Sequence, residues 1–116
     1  MKPELILRQL VHRLGYRFRL HARDLPGKPD LVFRSRQKAI FMHGCFWHQH
    51  ARRSCKLSHI PKSNLDYWQS KLERNVLRDR KQRRALRRLG WDVLVIWECE
   101  VEKPSVERQI NAFLSK

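Results

Sequence analysis

The stretch Ala39-Ile40-Phe41-Met42-His43-Gly44-Cys45-Phe46-Trp47-His48-Gln49-His50 sets three histidines, a cysteine and two aromatics behind a short apolar run. A core strand has little use for that mixture, whereas a metal or nucleotide site does. The pattern predicts a strand over residues 39–43 that runs into an active-site loop. The rest of the chain can be sorted by what it brings to that loop.

Just upstream, Leu31-Val32-Phe33 reads as a second strand, and polar residues 34–38 are short enough to close a hairpin. Asp30, at the start of one strand, is then expected beside the finish of the other. Leu25-Pro26-Gly27-Lys28-Pro29 continues neither helix nor strand, because the prolines remove donors and Gly27 permits a positive backbone angle. Before it, Tyr16, Phe18 and Leu20 alternate with Arg17, Arg19 and His21, the period-two pattern of a strand with one buried face. The chain opens with Pro3 and Glu4 in a helical first turn, followed by Ile6, Leu7, Leu10, Val11 and Leu14 at helical spacing until Gly15. Glu4 falls at the rim of that apolar face. It is either a first-turn acid favoured by the helix dipole or a group that reaches a site at the end of a sheet.

Downstream, residues 51–62 are rich in Arg, Lys, Ser and His and read as irregular. Ser63 or Asn64 can cap a long helix, with Asp66 in its first turn and a stripe of Trp68, Leu72, Val76, Leu86 and Leu89 before Gly90. Asp79 lies on that stripe. A buried carboxylate needs a partner, either one of the many arginines or a group in the site. The other faces carry Arg74, Arg78, Lys81, Arg84, Arg87 and Arg88, almost all of one sign. Residues 91–98 contain the run Val93-Leu94-Val95-Ile96-Trp97, which fits a strand covered on both sides and makes it the best candidate for a central strand, with Cys99 just beyond its end. Pro104 and Ser105 begin a closing helix with Val106, Ile110, Phe113 and Leu114 on one face. With no internal repeat or linker, residues 1–116 are expected to form one α/β domain: a central mixed β-sheet flanked by helices.

Composition narrows the function. Lys and Arg number 26 against 11 Asp and Glu, a formal net charge of +15. Such a surplus repels itself unless something anionic is near, and a polyphosphate rewards clustered Lys and Arg through counterion release. Nucleic acid is therefore expected and a membrane is not, because no apolar run approaches the roughly 20 residues needed to span. No cleavable signal peptide is visible, so the chain is expected in the cytoplasm. The three cysteines, an odd number, suit thiols or metal ligands better than a disulfide framework.

Two chemistries can be built from these residues. Cys45, His50 and Cys55 are separated by four residues each, and Cys99 stands at a strand end, so three thiolates and an imidazole could close a tetrahedral zinc site. Such a site is structural, and the alternative is buried thiols. Asp30, His43, His48, Glu4 and Asp79 remain. Asp30 with the Met42 backbone carbonyl suits magnesium, a hard cation that keeps several waters. His48 or His43 could orient or deprotonate a water for phosphodiester hydrolysis, and Asp79 could fix the tautomer of such a histidine. Phe46, Trp47 and Trp68 either pack in the core or insert between bases.

The ordered motifs Leu25-Pro26-Gly27-Lys28-Pro29-Asp30, residues 40–48, Asn75 with Arg78-Asp79, and Gly90-Trp91 leading to Trp97-Glu98-Cys99 together resemble the very short patch repair (Vsr) DNA mismatch endonucleases, part of the restriction-endonuclease-like superfamily. The resemblance runs from about Glu4 to Cys99. It implies a restriction-endonuclease-like fold with a structural zinc site, and a magnesium-dependent nick beside the thymine of a thymine–guanine mismatch left by deamination of 5-methylcytosine. On it, Asp30 and the Met42 carbonyl bind Mg2+, and His43 and His48 match the catalytic histidines. Glu4 and Asp79 match the acids that support the hydrated metal and the water-handling histidine. Cys45, His50, Cys55 and Cys99 match the Zn2+ ligands, and Phe46, Trp47 and Trp68 match the aromatics that open the duplex; the one-signed face of the long helix, with Arg74 and Arg78, is separately expected from its charge to grip phosphates. The implied partners are mismatched double-stranded DNA at the nucleoid and a mismatch-repair protein, with the chain acting as a monomer.

Two departures from the family pattern stand out. The interval from His50 to Cys55 is longer than usual, and His59 is an alternative fourth zinc ligand. Members also usually carry a basic segment before the first helix, whereas this chain starts almost at Glu4, so weaker mismatch selectivity with an intact nuclease centre is expected.

Overall fold

The computed structural model describes residues 2–48 and 62–116. Helix α1 (Pro3–Arg13) starts at a proline in its first turn, where a missing amide hydrogen costs nothing, and buries Leu7, Leu10 and Val11 at helical spacing. Strands β1 (Arg19–Leu20), β2 (Leu31–Phe33) and β3 (Lys38–His43) follow, then helix α2 (Leu65–Arg88), strand β4 (Asp92–Trp97) and helix α3 (Pro104–Ser115). The four strands form one mixed sheet in the order β1-β2-β3-β4. The first two pairings are antiparallel, and β3 pairs with β4 in parallel, as the long α2 crossover requires.

Strand alternation assigns each side chain to a layer. Ile40 of β3 and Ile96 of β4 meet α1 and α3 through Leu7, Leu10, Val11, Ile110 and Leu114. Ala39 and Phe41 of β3, with Val93 and Val95 of β4, pack beneath Leu86 of α2. In α2 the buried residues are Leu72, Asp79 and Leu86, seven apart, so a carboxylate sits mid-seam between two leucines.

Several expectations need correction. The strand predicted over residues 16–21 shrinks to Arg19–Leu20 with Leu20 exposed, because β1 is an edge that meets the short β2 only through Arg19–Val32 and Leu20–Leu31 pairs. Tyr16 and Phe18 instead pack against the α1–α3 core. Lys38 belongs to β3 rather than the hairpin loop; it pairs with Phe33, and its buried ammonium donates to the carbonyl oxygens of Phe113 and Lys116 at the end of α3. The strand predicted as central, β4, is an edge strand in the described sheet, and β3 is interior. Its apolar run reflects helices on both faces, not strands on both sides. Leu89 is 59% exposed, so the α2 stripe ends at Leu86. Asn64 occupies the N-cap of α2 with φ +56° and makes no side-chain capping bond.

The turn before β2 aims Asp30. Gly27 has φ +77°, and a Cβ there would lie 3.1 Å from ring carbons of Phe41 and 3.2 Å from Cβ of Gln82. Both the backbone angle and the close approach demand glycine. Gly27→Ala is expected to lower stability by about 1–3 kcal/mol in urea unfolding; an unchanged midpoint would show that the turn tolerates a side chain.

Candidate active site

The site forms where the ends of several elements meet. Asp30 directly precedes β2, and its Oδ2 accepts a hydrogen bond from the Met42 amide at 2.6 Å. The amide and carbonyl of one strand residue point to the same edge, so the Met42 carbonyl also faces Asp30. The His43 carbonyl points the other way and accepts from the Glu98 amide at 3.0 Å. The Met42 and His43 side chains likewise leave the sheet on opposite faces.

On the α1 side lies a carboxylate cluster. Donor atoms of Glu4, His21 and Asp30 lie within 4.8 Å of one another. Glu4 is held through Oε2 by Arg8 Nη2 at 3.1 Å and faces His21 Nε2 with Oε1, also at 3.1 Å. That Oε1 is buried and makes no well-directed hydrogen bond among the described residues. Burial pushes the Asp30 carboxyl above its ordinary range, the Met42 amide pulls it back, and the charge of Glu4 raises it further. Paired carboxylates, an unpartnered buried oxygen and a strand-edge carbonyl form an oxygen-rich set that fits a hard divalent cation. His21 was not singled out from the sequence, where it looked like the polar member of an alternating strand. The β1–β2 register could have found it, since Leu20 pairs with Leu31 and the next step sets His21 opposite Asp30.

On the α2 side lies an imidazole cluster. Residues 44–48 turn back once, with the His48 amide donating to the Gly44 carbonyl at 3.1 Å. This lays the His48 ring on that of His43, with centroids 3.9 Å apart and planes inclined by 6°. His48 Nδ1 pairs with Oδ2 of Asp79. Asp79 is 8% exposed, and the partner that its burial demands is thus a histidine rather than an arginine. His43 is 4% exposed, and its Nδ1 is buried with no hydrogen bond among the described residues. Burial first, then the charges of His48 and Arg83, push the His43 imidazole down to about 3.

The carboxylate cluster lines a cleft of about 480 Å³ together with Met42, Phe46 and Trp47, and the charge of His48 in the other cluster reaches Asp30. Phe46, Trp47 and Trp68 belong to neither core; their rings touch at centroid distances of 5.1, 5.6 and 6.0 Å, and Trp47 is 47% exposed. Lys71 Nζ lies 5.4 Å from the centre of the Trp47 ring, and Asn75 donates to the Trp47 carbonyl at 3.5 Å. Arg74 and Arg78 are exposed on α2 with the other cations of that helix. Of the expected zinc ligands, Cys45 is buried and Cys99 half-buried, and each lies two residues beyond the paired His43 and Trp97 of β3 and β4. His50 and Cys55, with the alternative His59, lie outside the described residues. Among the described residues no helix is long and apolar enough to cross a membrane.

Comparison with known proteins gives the family. The family model for DNA mismatch endonuclease Vsr matches residues 1–56. The type II nicking enzyme V.XorIIP of Xanthomonas oryzae is 52% identical over 86% of this chain and 71% of its own length. The type II nicking enzyme V.NmeAIP of Neisseria meningitidis is 40% identical over 93% of this chain and 75% of its own length. DNA mismatch endonuclease Vsr of Escherichia coli is 42% identical over 80% of this chain, which spans 58% of that protein. With a mixed-sheet α/β fold, a carboxylate cluster and a histidine–aspartate pair at one sheet end, and these relatives, the chain belongs to the Vsr family of DNA endonucleases.

Proposed function

We propose that this chain nicks duplex DNA at thymine–guanine mismatches in a magnesium-dependent reaction. The observation that carries the reading is that two unlike clusters, Glu4 with Asp30 and His48 with Asp79, stand at one end of the sheet, near enough for the charge of His48 to act on Asp30. When bound, magnesium supplies the positive charge that offsets the scissile phosphate and the departing oxygen. Asp30 and the Met42 carbonyl would hold it, with Glu4 supporting its water shell. Because His48 Nδ1 is committed to Asp79, Nε2 is the nitrogen left to take a proton from the attacking water. Asp79 accepts the Nδ1 hydrogen, which fixes the tautomer and stabilises the imidazolium once the proton has moved. His43 stays neutral at working pH and props the plane of His48 by stacking.

Phe46, Trp47 and Trp68 would enter the duplex beside the mismatch, where a wobble pair is cheaper to unstack than a matched one. The cationic face of α2 would grip phosphates, so binding should weaken steeply with salt. A structural zinc on Cys45, His50, Cys55 and Cys99 would fasten the loop after β3 to the end of β4, and purified protein should then carry about one zinc per chain.

The direct test incubates the protein with magnesium and with mismatched or matched duplexes. Faster nicking of the thymine–guanine duplex is expected, and Asp30→Asn should abolish it with the circular dichroism spectrum unchanged. Equal nicking of both duplexes would favour a nickase without mismatch preference. No nicking of either would overturn the proposal. His43 provides a second test. Its imidazole is neutral in the fold and ordinary when unfolded, so its stabilising effect is present above about pH 6.5 and is lost as pH falls toward 3. A difference of that size corresponds to about 5 kcal/mol. Urea unfolding between pH 7 and 4 should show a one-proton slope in the wild type that His43→Gln lacks; parallel profiles would contradict a neutral buried His43.

A further inference from the structure

His21 touches both acids of the carboxylate cluster. It directly follows β1, and its amide donates to the Asp30 carbonyl at 3.1 Å. Its Nε2 lies 3.1 Å from Glu4 Oε1. Its backbone is left-handed, with φ +49°, a conformation that a residue with a Cβ adopts at a cost. Asn and Gly reach that region more easily, so the turn alone gives no reason for histidine. The ring is 53% exposed, so packing does not require it either. What a long side chain with a terminal polar nitrogen does here is stand 3.1 Å from Glu4 Oε1, a buried oxygen with no hydrogen bond among the described residues, and 3.3 Å from Arg8 Nη2.

We propose that His21 is a positioning residue that holds Glu4 against Asp30 and thereby sets the divalent-metal affinity of the cleft, an inference that rests on the proposed metal-dependent reading of the site. Glu4 Oε2 pairs with Arg8, and its Oε1 lies 3.1 Å from His21 Nε2, which also stands 3.3 Å from Arg8 Nη2, so the three side chains close on one another. Arg8 comes from the same helix as Glu4 and holds it only relative to α1. His21 comes from the segment paired with Asp30 and holds it relative to the sheet. Without the ring, two carboxylates a few ångströms apart repel, and Glu4 is free to turn toward Arg8 and solvent. The cleft would still contain Asp30 and the Met42 carbonyl but would lose the preset spacing of its second acid. Groups of this kind, one step removed from a metal, typically change its affinity by about 10–100-fold.

The test measures Mn2+ binding by titration calorimetry and by the electron paramagnetic resonance signal of free Mn2+, with no DNA present. It compares wild type, His21→Ala, His21→Gln and Asp30→Asn. The glutamine variant keeps a polar group at similar reach, and thermal unfolding confirms that each variant is folded. Expected are Mn2+ binding weakened about 10-fold or more in His21→Ala, recovery to within about 3-fold of wild type in His21→Gln, and loss of binding in Asp30→Asn. In nicking assays, His21→Ala should need more metal for half-maximal rate yet approach the wild-type rate at saturation. Unchanged Mn2+ affinity in His21→Ala, beside a wild type that binds and nicks, overturns this inference alone. A glutamine variant as weak as alanine overturns the role given to a polar side chain of this reach between Glu4 and Arg8. A wild type that neither binds Mn2+ nor nicks overturns the proposed function and this inference with it.

Discussion

A carboxylate fastened to a backbone amide organises this protein. The 2.6 Å bond from the Met42 amide to Asp30 ties the start of β2 to the end of β3, and a hydrogen bond to a charged acceptor is among the stronger ones available. It fixes the edge to which the Met42 carbonyl points. Through strand alternation it also fixes the faces on which Met42 and His43 emerge. The sheet can therefore receive one acid from each layer, Glu4 from α1 and Asp79 from α2, without either helix crossing its end. The arrangement has a cost, since burial and the neighbouring Glu4 both disfavour the charged form of Asp30. A divalent cation would relieve both effects at once.

The two acids sit in different surroundings, and that difference separates their roles. Glu4 faces the cleft, with one oxygen on Arg8 and one near His21. Asp79 is set between Leu72 and Leu86 in the α2 seam and is committed to His48. A carboxylate so enclosed has no spare freedom, so it can orient an imidazole and little else. His43 adds rigidity in the same manner, as a neutral ring stacked on His48 and set edge-on to Trp97 at 5.2 Å.

Much of this was legible in the sequence, for reasons that can be named. The helices followed from spacing: Leu7, Leu10 and Val11, or Val106, Ile110 and Leu114, repeat with the helical period and are buried as that period requires. Asp30 and Met42 were brought together by hairpin length, and Asp79 was turned inward by its place on the α2 stripe. Less legible were features set by neighbours in space. An apolar strand such as β4 reads alike whether it is interior or at an edge, because its run reports the layers above and below it. Lys38 looked like a loop residue because its carbonyl partners lie far along the chain in α3. His21 was hidden by the alternation of β1, and only the register against β2 reveals what it faces. The resemblance to a family contributed the roles assigned to these groups, which spacing alone left open.

The proposed mechanism requires His48 and Asp79 to act as one proton-handling unit near Asp30. A double-substitution cycle of single-turnover nicking rates, with His48→Ala, Asp79→Asn and both together at saturating magnesium, tests it most directly. If the two act as a unit, the double variant should be no slower than the slower single variant, each loss being on the order of 10²–10⁴-fold. Losses that multiply in the double variant, or an Asp79→Asn variant that nicks at the wild-type rate, would contradict it.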